Sequence, residues 1–271
     1  MTRMSGDGSW PRRIGVGLLA AVGSLGLLYG ALRLATPYSQ WARALVWFDS
    51  DIGDIDRFPA RVIEDGPGTF TFARRATSVP PAAIDTVRIT GEDGEAVPIG
   101  FREFLLNRRT NAFLVIRSDT ILYEEHFGAF ADTALHTSFS VSKSFASALV
   151  GTAIDRGLIG SIQDPITDYI PELLESDSTY RRITLHHLMT MNSGIGFDDA
   201  MVPWGDPATT YYSPDLRAAA LGKRVSGRPG ERFHYNNYNP LLIGMVLERV
   251  SDTTVSAFLS ETIWTRIGME A

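Results

Sequence analysis

No cysteine occurs among the 271 residues, which removes disulfides, thiolate metal ligands, a cysteine nucleophile and a lipidated cysteine anchor together. Lysine is almost as scarce: of 25 basic residues only Lys143 and Lys223 are not arginine. A guanidinium stays protonated at any working pH, so a side-chain amine that accepts a proton has to be one of those two. Histidine is sparse and scattered. His186 and His187 are adjacent, so on a helix they point about 100° apart and cannot share an ion as an i, i+4 pair would. His126, His136 and His234 stand apart, and neither a metal nor a cofactor is expected. Both the G-x-S-x-G elbow of α/β-hydrolases and the glycine-rich phosphate loop are missing. Net positive charge is lacking too: the formal charge is -6, while residues 1–35 carry four arginines against Asp7. The acidity therefore sits in the body, which argues against nucleic acid as a partner.

What the chain does have is 44% apolar residues, enough to build one large domain or two modest ones. Ile14 to Leu32 is an uncharged run closed by Arg12 and Arg13 on one side and Arg33 on the other. As a helix it spans about 28 Å, close to the ~30 Å of a hydrocarbon core. The positive N-terminal flank keeps residues 1–13 in the cytoplasm and sends the rest outside, so the expectation is a single-pass anchor at 14–32 with a periplasmic body. A cleaved signal peptide is the competing reading, and it exports the body equally. The partition expected is 1–35 for cytoplasmic N-terminus and anchor, 36–68 for a connector, and 69–271 for the functional domain. Asp49, Asp51, Asp54 and Asp56 in the connector are read as solvated, because the glycine and distal glutamate of a calcium loop are out of register.

Within the body, 69–73 and 86–90 read as short strands and 99–107 as a short helix. A hairpin, 112–117 with 121–127, alternates apolar and polar residues around Ser118, Asp119 and Thr120. Helical periodicity takes over after Gly128. Ser140 to Arg156 has one broad apolar face and Gly157 to stop it. Thr184 can cap a helix through Met191, Pro240 can open another through Val250, and Asp252 or Thr253 can cap a last one to Trp264. Strands first and helices afterwards predict an α+β fold, a helical domain plus antiparallel sheet, rather than a doubly wound sheet.

Ser140, Val141, Ser142, Lys143 places a hydroxyl and an amine three residues apart, on one helix face. That spacing suits a nucleophile and its base. An amine takes a serine proton only when neutral, a state that apolar burial and a positive helix N-terminus both favour. Tyr235, Asn236, Asn237 offers a hydroxyl that can relay a proton and an amide that can orient a carbonyl. Trp204, Tyr211 and Tyr212 lie between the two motifs, and Trp204 and Tyr211 are candidates for lining a substrate cleft.

The S-x-x-K and Y-x-N motifs, in this order and about 95 residues apart, resemble those of the serine beta-lactamase-like, penicillin-recognising hydrolases, in particular the class C beta-lactamase, esterase and 6-aminohexanoate-dimer hydrolase branch. The text around them does too: SFSVSKSFAS at 138–147, DPITDYIPE at 164–172, ITLHHLMTMNSG at 183–194 and PGERFHYNN at 229–237. The resemblance runs from about Ala112 to the end. It implies a beta-lactamase/transpeptidase-like α+β fold and acyl-enzyme hydrolysis of an amide, lactam or ester in a small-molecule or peptide-like substrate. Ser140 would be the nucleophile, Lys143 the general base, Tyr235 the proton relay and Asn237 the substrate orienter. The family's third motif, Lys or His-x-Gly on a strand that supplies an oxyanion-hole donor, does not follow Asn237. The expectation is that the C-terminal strands and closing helix lie outside these 271 residues, in a fragment or a truncated homologue. The rival reading is a catalytically inactive penicillin-fold module that binds or scaffolds at the membrane.

Overall fold

The structure is a computed structural model that describes residues 10–75, 85–91, 94–128, 134, 135 and 137–270, with side chains from residue 21 onward. Ten helices and five strands follow one another along the described residues: α1 (Trp10–Ala35), α2 (Gln40–Trp47), β1 (Ala73–Arg74), β2 (Thr86–Thr90), β3 (Ala96–Gly100), α3 (Phe101–Asn107), β4 (Ala112–Arg117), β5 (Thr120–His126), α4 (Ser142–Asp155), α5 (Leu173–Ser176), α6 (Leu185–Met189), α7 (Asp206–Tyr212), α8 (Leu216–Leu221), α9 (Tyr238–Ser251) and α10 (Val255–Leu259). The α+β class is as expected. The chain divides into two compact units, 1–52 with 138–262 and 53–137 with 263–271.

The first unit is helical. Its centre is α9, whose Leu242, Val246 and Leu247 are fully buried, each contributing about 1.5–3 kcal/mol of apolar transfer. Helix α4 packs against it through its own end of the core, Leu149, Val150 and Ala153, and α6, α8 and α10 also contact α9. Gly157, at φ +71°, ends α4 where the sequence placed a stop. Thr184 caps α6 as expected, and His187 completes a capping box by accepting the Thr184 N–H on Nδ1, which gives that histidine a structural task. Two boundaries differ from expectation. Helix α9 starts at Tyr238, ahead of Pro240, and Asp252 ends it in a left-handed turn instead of capping the next helix. Thr254 caps α10, accepting from the Ala257 N–H, and a π turn over Ser260–Trp264 follows.

In α1, Leu25, Leu27, Leu28 and Leu34 are exposed, and among the described residues no helix is long and apolar enough to cross a membrane. Residues 1–9, expected as a cytoplasmic N-terminus, and His136 lie outside the described residues, as do the side chains of 10–20.

The second unit carries the strands. The hairpin β4–β5 is antiparallel with a register shift at Val115/Ile116, β1 pairs parallel with β5, and β2–β3 form a separate antiparallel ribbon. The strand expected at 69–73 shrinks to two residues. Phe101, Leu105, Tyr123 and Phe127 form the core of this unit, with α3 supplying the first two. Asp49, Asp51 and Asp56 are exposed as expected, but Asp54 corrects the solvated reading at its own position: it is fully buried and ion-paired with Arg57 at 2.6 Å.

Candidate active site

All six candidate residues fall in the helical unit. Phe139, Ser140 and Val141 form one 3-10 turn, and α4 proper begins only at Ser142. With three residues per turn, a 3-10 turn stacks positions i and i+3, which brings Ser140 and Lys143 into line. Phe139 enters this turn at φ +45°, a left-handed conformation that costs a bulky residue about 1–3 kcal/mol. Ser142 Oγ donates to the Phe139 carbonyl at 2.7 Å, which helps to close the turn. The nucleophile candidate thus projects from a strained corner, exposed, ahead of the regular helix.

Lys143 Nζ donates to Ser140 Oγ at 2.8 Å, and the Tyr235 hydroxyl donates to the same oxygen at 2.6 Å. Lys143 Nζ also stands 5.0 Å from the centre of the Tyr235 ring. The burial expected for Lys143 is only partial, because the buried face of α4 begins about two turns further on, at Leu149 and Val150. For Tyr235 partial burial works against ionisation, yet the Lys143 and Ser140 hydrogen bonds and the Lys143 charge outweigh it and hold the phenol below its usual value.

Tyr235 is held by the loop before α9. Asn236, buried, donates from its amide to the Ile195 carbonyl at 2.9 Å and accepts the Tyr238 N–H at 2.9 Å. The His234 N–H donates to the Met191 carbonyl at 2.7 Å. Gly194, at φ +75° in the loop that follows α6, lets that loop pass so close to Gly227 that a β-carbon there would sit 2.5 Å from its carbonyl oxygen. Ser193 Oγ donates to Asn239 Oδ1 at 2.6 Å, fully buried, and ties the same loop to α9.

Asn237 does not hydrogen-bond to the Ser140–Lys143 pair among the described residues; its amide donates to Thr210 Oγ1 on α7 at 3.3 Å. Tyr211 stacks on Phe139 with ring centres 6.4 Å apart, next to the nucleophile candidate. Trp204 does not join them: it is exposed and packs on Trp41 of α2 at 5.7 Å. No cluster of three or more metal-binding side chains occurs among the described residues.

One further group carries no short motif. Asp206, at the start of α7 and nearly buried, pairs with Lys223 at 2.6 Å and accepts the Tyr238 hydroxyl at 2.7 Å and the Asp198 N–H at 2.8 Å. Burial opposes its charge, but Lys223, Asp198 and Tyr238 outweigh it and keep the carboxyl below the usual range. The scarcity of lysine was the only signal that pointed to Lys223.

The beta-lactamase family model matches residues 103–271, more than half of the chain. The 6-aminohexanoate-dimer hydrolase of Paenarthrobacter ureafaciens is 30% identical over 173 residues, 58% of this chain and 42% of that protein. Protein flp of Staphylococcus aureus (strain COL) is 22% identical over 126 residues, 45% of this chain and 24% of that one. A solved structure, a candidate 6-aminohexanoate-dimer hydrolase from Bacillus anthracis, superposes with a TM-score of 0.59 at 20% identity, covering 77% of this chain and 56% of that one; at that identity it shows the fold alone. The chain spans less than half the length of both curated relatives. On the extent of the family match, and with the two motifs in the order and spacing described above, the chain belongs to the beta-lactamase family.

Proposed function

We propose that the protein is a serine hydrolase that forms an acyl-enzyme on an amide, lactam or ester. The observation that carries this reading is the convergence of Lys143 Nζ, at 2.8 Å, and the Tyr235 hydroxyl, at 2.6 Å, on a single exposed oxygen, Ser140 Oγ. With the amine neutral, the same contact runs in reverse: Ser140 gives its proton to Lys143 while Oγ bonds to the substrate carbonyl carbon. Tyr235 hands a proton to the departing amine or alkoxide as the carbon–heteroatom bond breaks, and water then releases the acyl group and restores the Ser140 proton. The depressed Tyr235 hydroxyl supports the relay role, since it exchanges protons with Lys143 more readily than an ordinary phenol. Asn237 orients the substrate carbonyl and Tyr211 lines the cleft. Likeness to a 6-aminohexanoate-dimer hydrolase supports a small or peptide-like amide as substrate.

The reading includes an extracytoplasmic site, tethered through residues 14–32; its support is the arginine-flanked apolar run and the exposed leucines of α1. A fluorophosphonate probe applied to the full-length protein labels Ser140 and leaves Ser140→Ala unlabelled. Unlabelled wild-type protein under the same conditions sinks the enzyme reading in favour of an inactive binding module.

A further inference from the structure

Helix α7 carries two jobs on two faces. Thr209 and Tyr212, three residues apart, share one side of the helix, and Thr210 and Tyr211 fall on the other. The second side serves the site, with Thr210 accepting from the Asn237 amide and Tyr211 stacked on Phe139. The first side is gripped by α2, more than 160 residues away in sequence. Gln40 Nε2 donates to Thr209 Oγ1 at 3.1 Å. Arg43 Nη1 donates to the Tyr212 carbonyl at 3.0 Å, a cation on the negative C-terminal end of α7, while its Nε and Nη2 donate to the carbonyls of Thr36 and Pro37. Tyr212 answers by donating its hydroxyl to the Phe48 carbonyl at 2.9 Å and packing against the Trp47 ring, which Arg43 also covers. Phe48 sits at φ +58°, strained for a phenylalanine, and that turn is where its carbonyl meets Tyr212.

We propose that α2, through Arg43 and Gln40, sets the rotation of α7 and so places Tyr211 and Asn237 for substrate. Arg43 is a positioning residue: it donates to the Tyr212, Thr36 and Pro37 carbonyls and acts through Tyr212 on α7, which carries Tyr211 and the Thr210 that holds Asn237. The idea rests on the hydrolase reading for its catalytic consequence and on α7 alone for its structural one. A lysine at position 43 offers a point charge without the planar fork that spans three carbonyls, so it does not substitute fully.

The test uses Arg43→Ala, Arg43→Lys and Gln40→Ala in the full-length protein. The kinetic measurement compares fluorophosphonate labelling of Ser140 with KM and kcat on p-nitrophenyl esters of acetic and of phenylacetic acid. The structural measurement is amide hydrogen exchange. Expected for Arg43→Ala is a KM for the bulky ester raised on the order of tenfold, a labelling rate within about twofold of wild type, and faster exchange confined to 206–212 and 237–238. Arg43→Lys falls between, and Gln40→Ala shows the same pattern more weakly. Unchanged exchange in α7 overturns the proposal, as does an equal fall in labelling and in turnover on both esters. Should Arg43→Ala fail to fold, a Gln40→Ala variant with wild-type KM and exchange overturns it as well. If the wild-type protein takes no label, the hydrolase reading fails, and the exchange pattern alone decides whether α2 sets α7.

Discussion

Lys143 and Lys223, the chain's only lysines, each hold their ammonium about one ring's reach from a tyrosine, 5.0 Å from Tyr235 and 4.9 Å from Tyr238, and the two pairs behave oppositely. Tyr235 is held below the ordinary phenol value and Tyr238 is pushed above it, in the second case by burial first and by the Asp206 carboxylate after it. The difference lies in deeper burial of Tyr238 and in the third partner beside each lysine. Lys223 is neutralised by a nearly buried Asp206, so its charge belongs to an ion pair and Tyr238 can only donate to the carboxylate. No carboxylate pairs with Lys143 among the described residues, and its nearest partner is the neutral hydroxyl of Ser140. The Lys143 pair suits the proton exchange proposed above, whereas the Lys223 pair is tied into a carboxylate network.

The largest effect is expected at Lys143. Lys143→Arg keeps the positive charge over Tyr235 but cannot accept a proton, so kcat on an ester substrate should fall by about 10²- to 10⁴-fold with little change in melting temperature. Comparable activity in that variant would mean that charge alone is what the site requires. Lys223→Met should do the reverse. It strands the Asp206 carboxylate in the core and costs about 3 kcal/mol in denaturant unfolding, and Asp206→Asn in the same chain should recover part of that loss.

A smaller effect sharpens the contrast by pH. The folded-state pKa of Asp206 lies below its unfolded value, so its contribution to stability is complete above the unfolded carboxyl pKa of about 4 and is lost as pH falls through the folded value. Thermal unfolding followed from about pH 5 downward should show a shallower acid slope in Asp206→Asn than in wild type. Equal slopes would show that Asp206 is no better stabilised in its charged form when folded than when unfolded.

Much of the candidate site was legible because its signals are short. Ser140 and Lys143 are three residues apart and any helical turn, 3-10 or α, brings them together. Tyr235 and Asn237 were marked by their spacing within one triplet, and the Thr184 cap and the 112–126 hairpin were likewise local. Asn237 was legible as a candidate, but its partner Thr210, 27 positions earlier, was not. The strain at Phe139 left no trace either, since a phenylalanine gives no hint of a positive φ.

Composition and local periodicity by themselves determined that this chain has an amine able to serve a serine, an arginine-flanked apolar run and an α+β order of elements. Those properties depend on residues within a turn or two of each other, where backbone geometry leaves few alternatives. Only the tertiary structure decided which lysine meets a serine and which a carboxylate, that Trp204 packs on Trp41, and that Arg43 reaches the end of α7. The carboxylate partner, the ring contact and the Arg43 bond each come from groups 17 to 169 positions apart, and burial, charge pairing and helix rotation act on distance in space, which sequence separation does not encode.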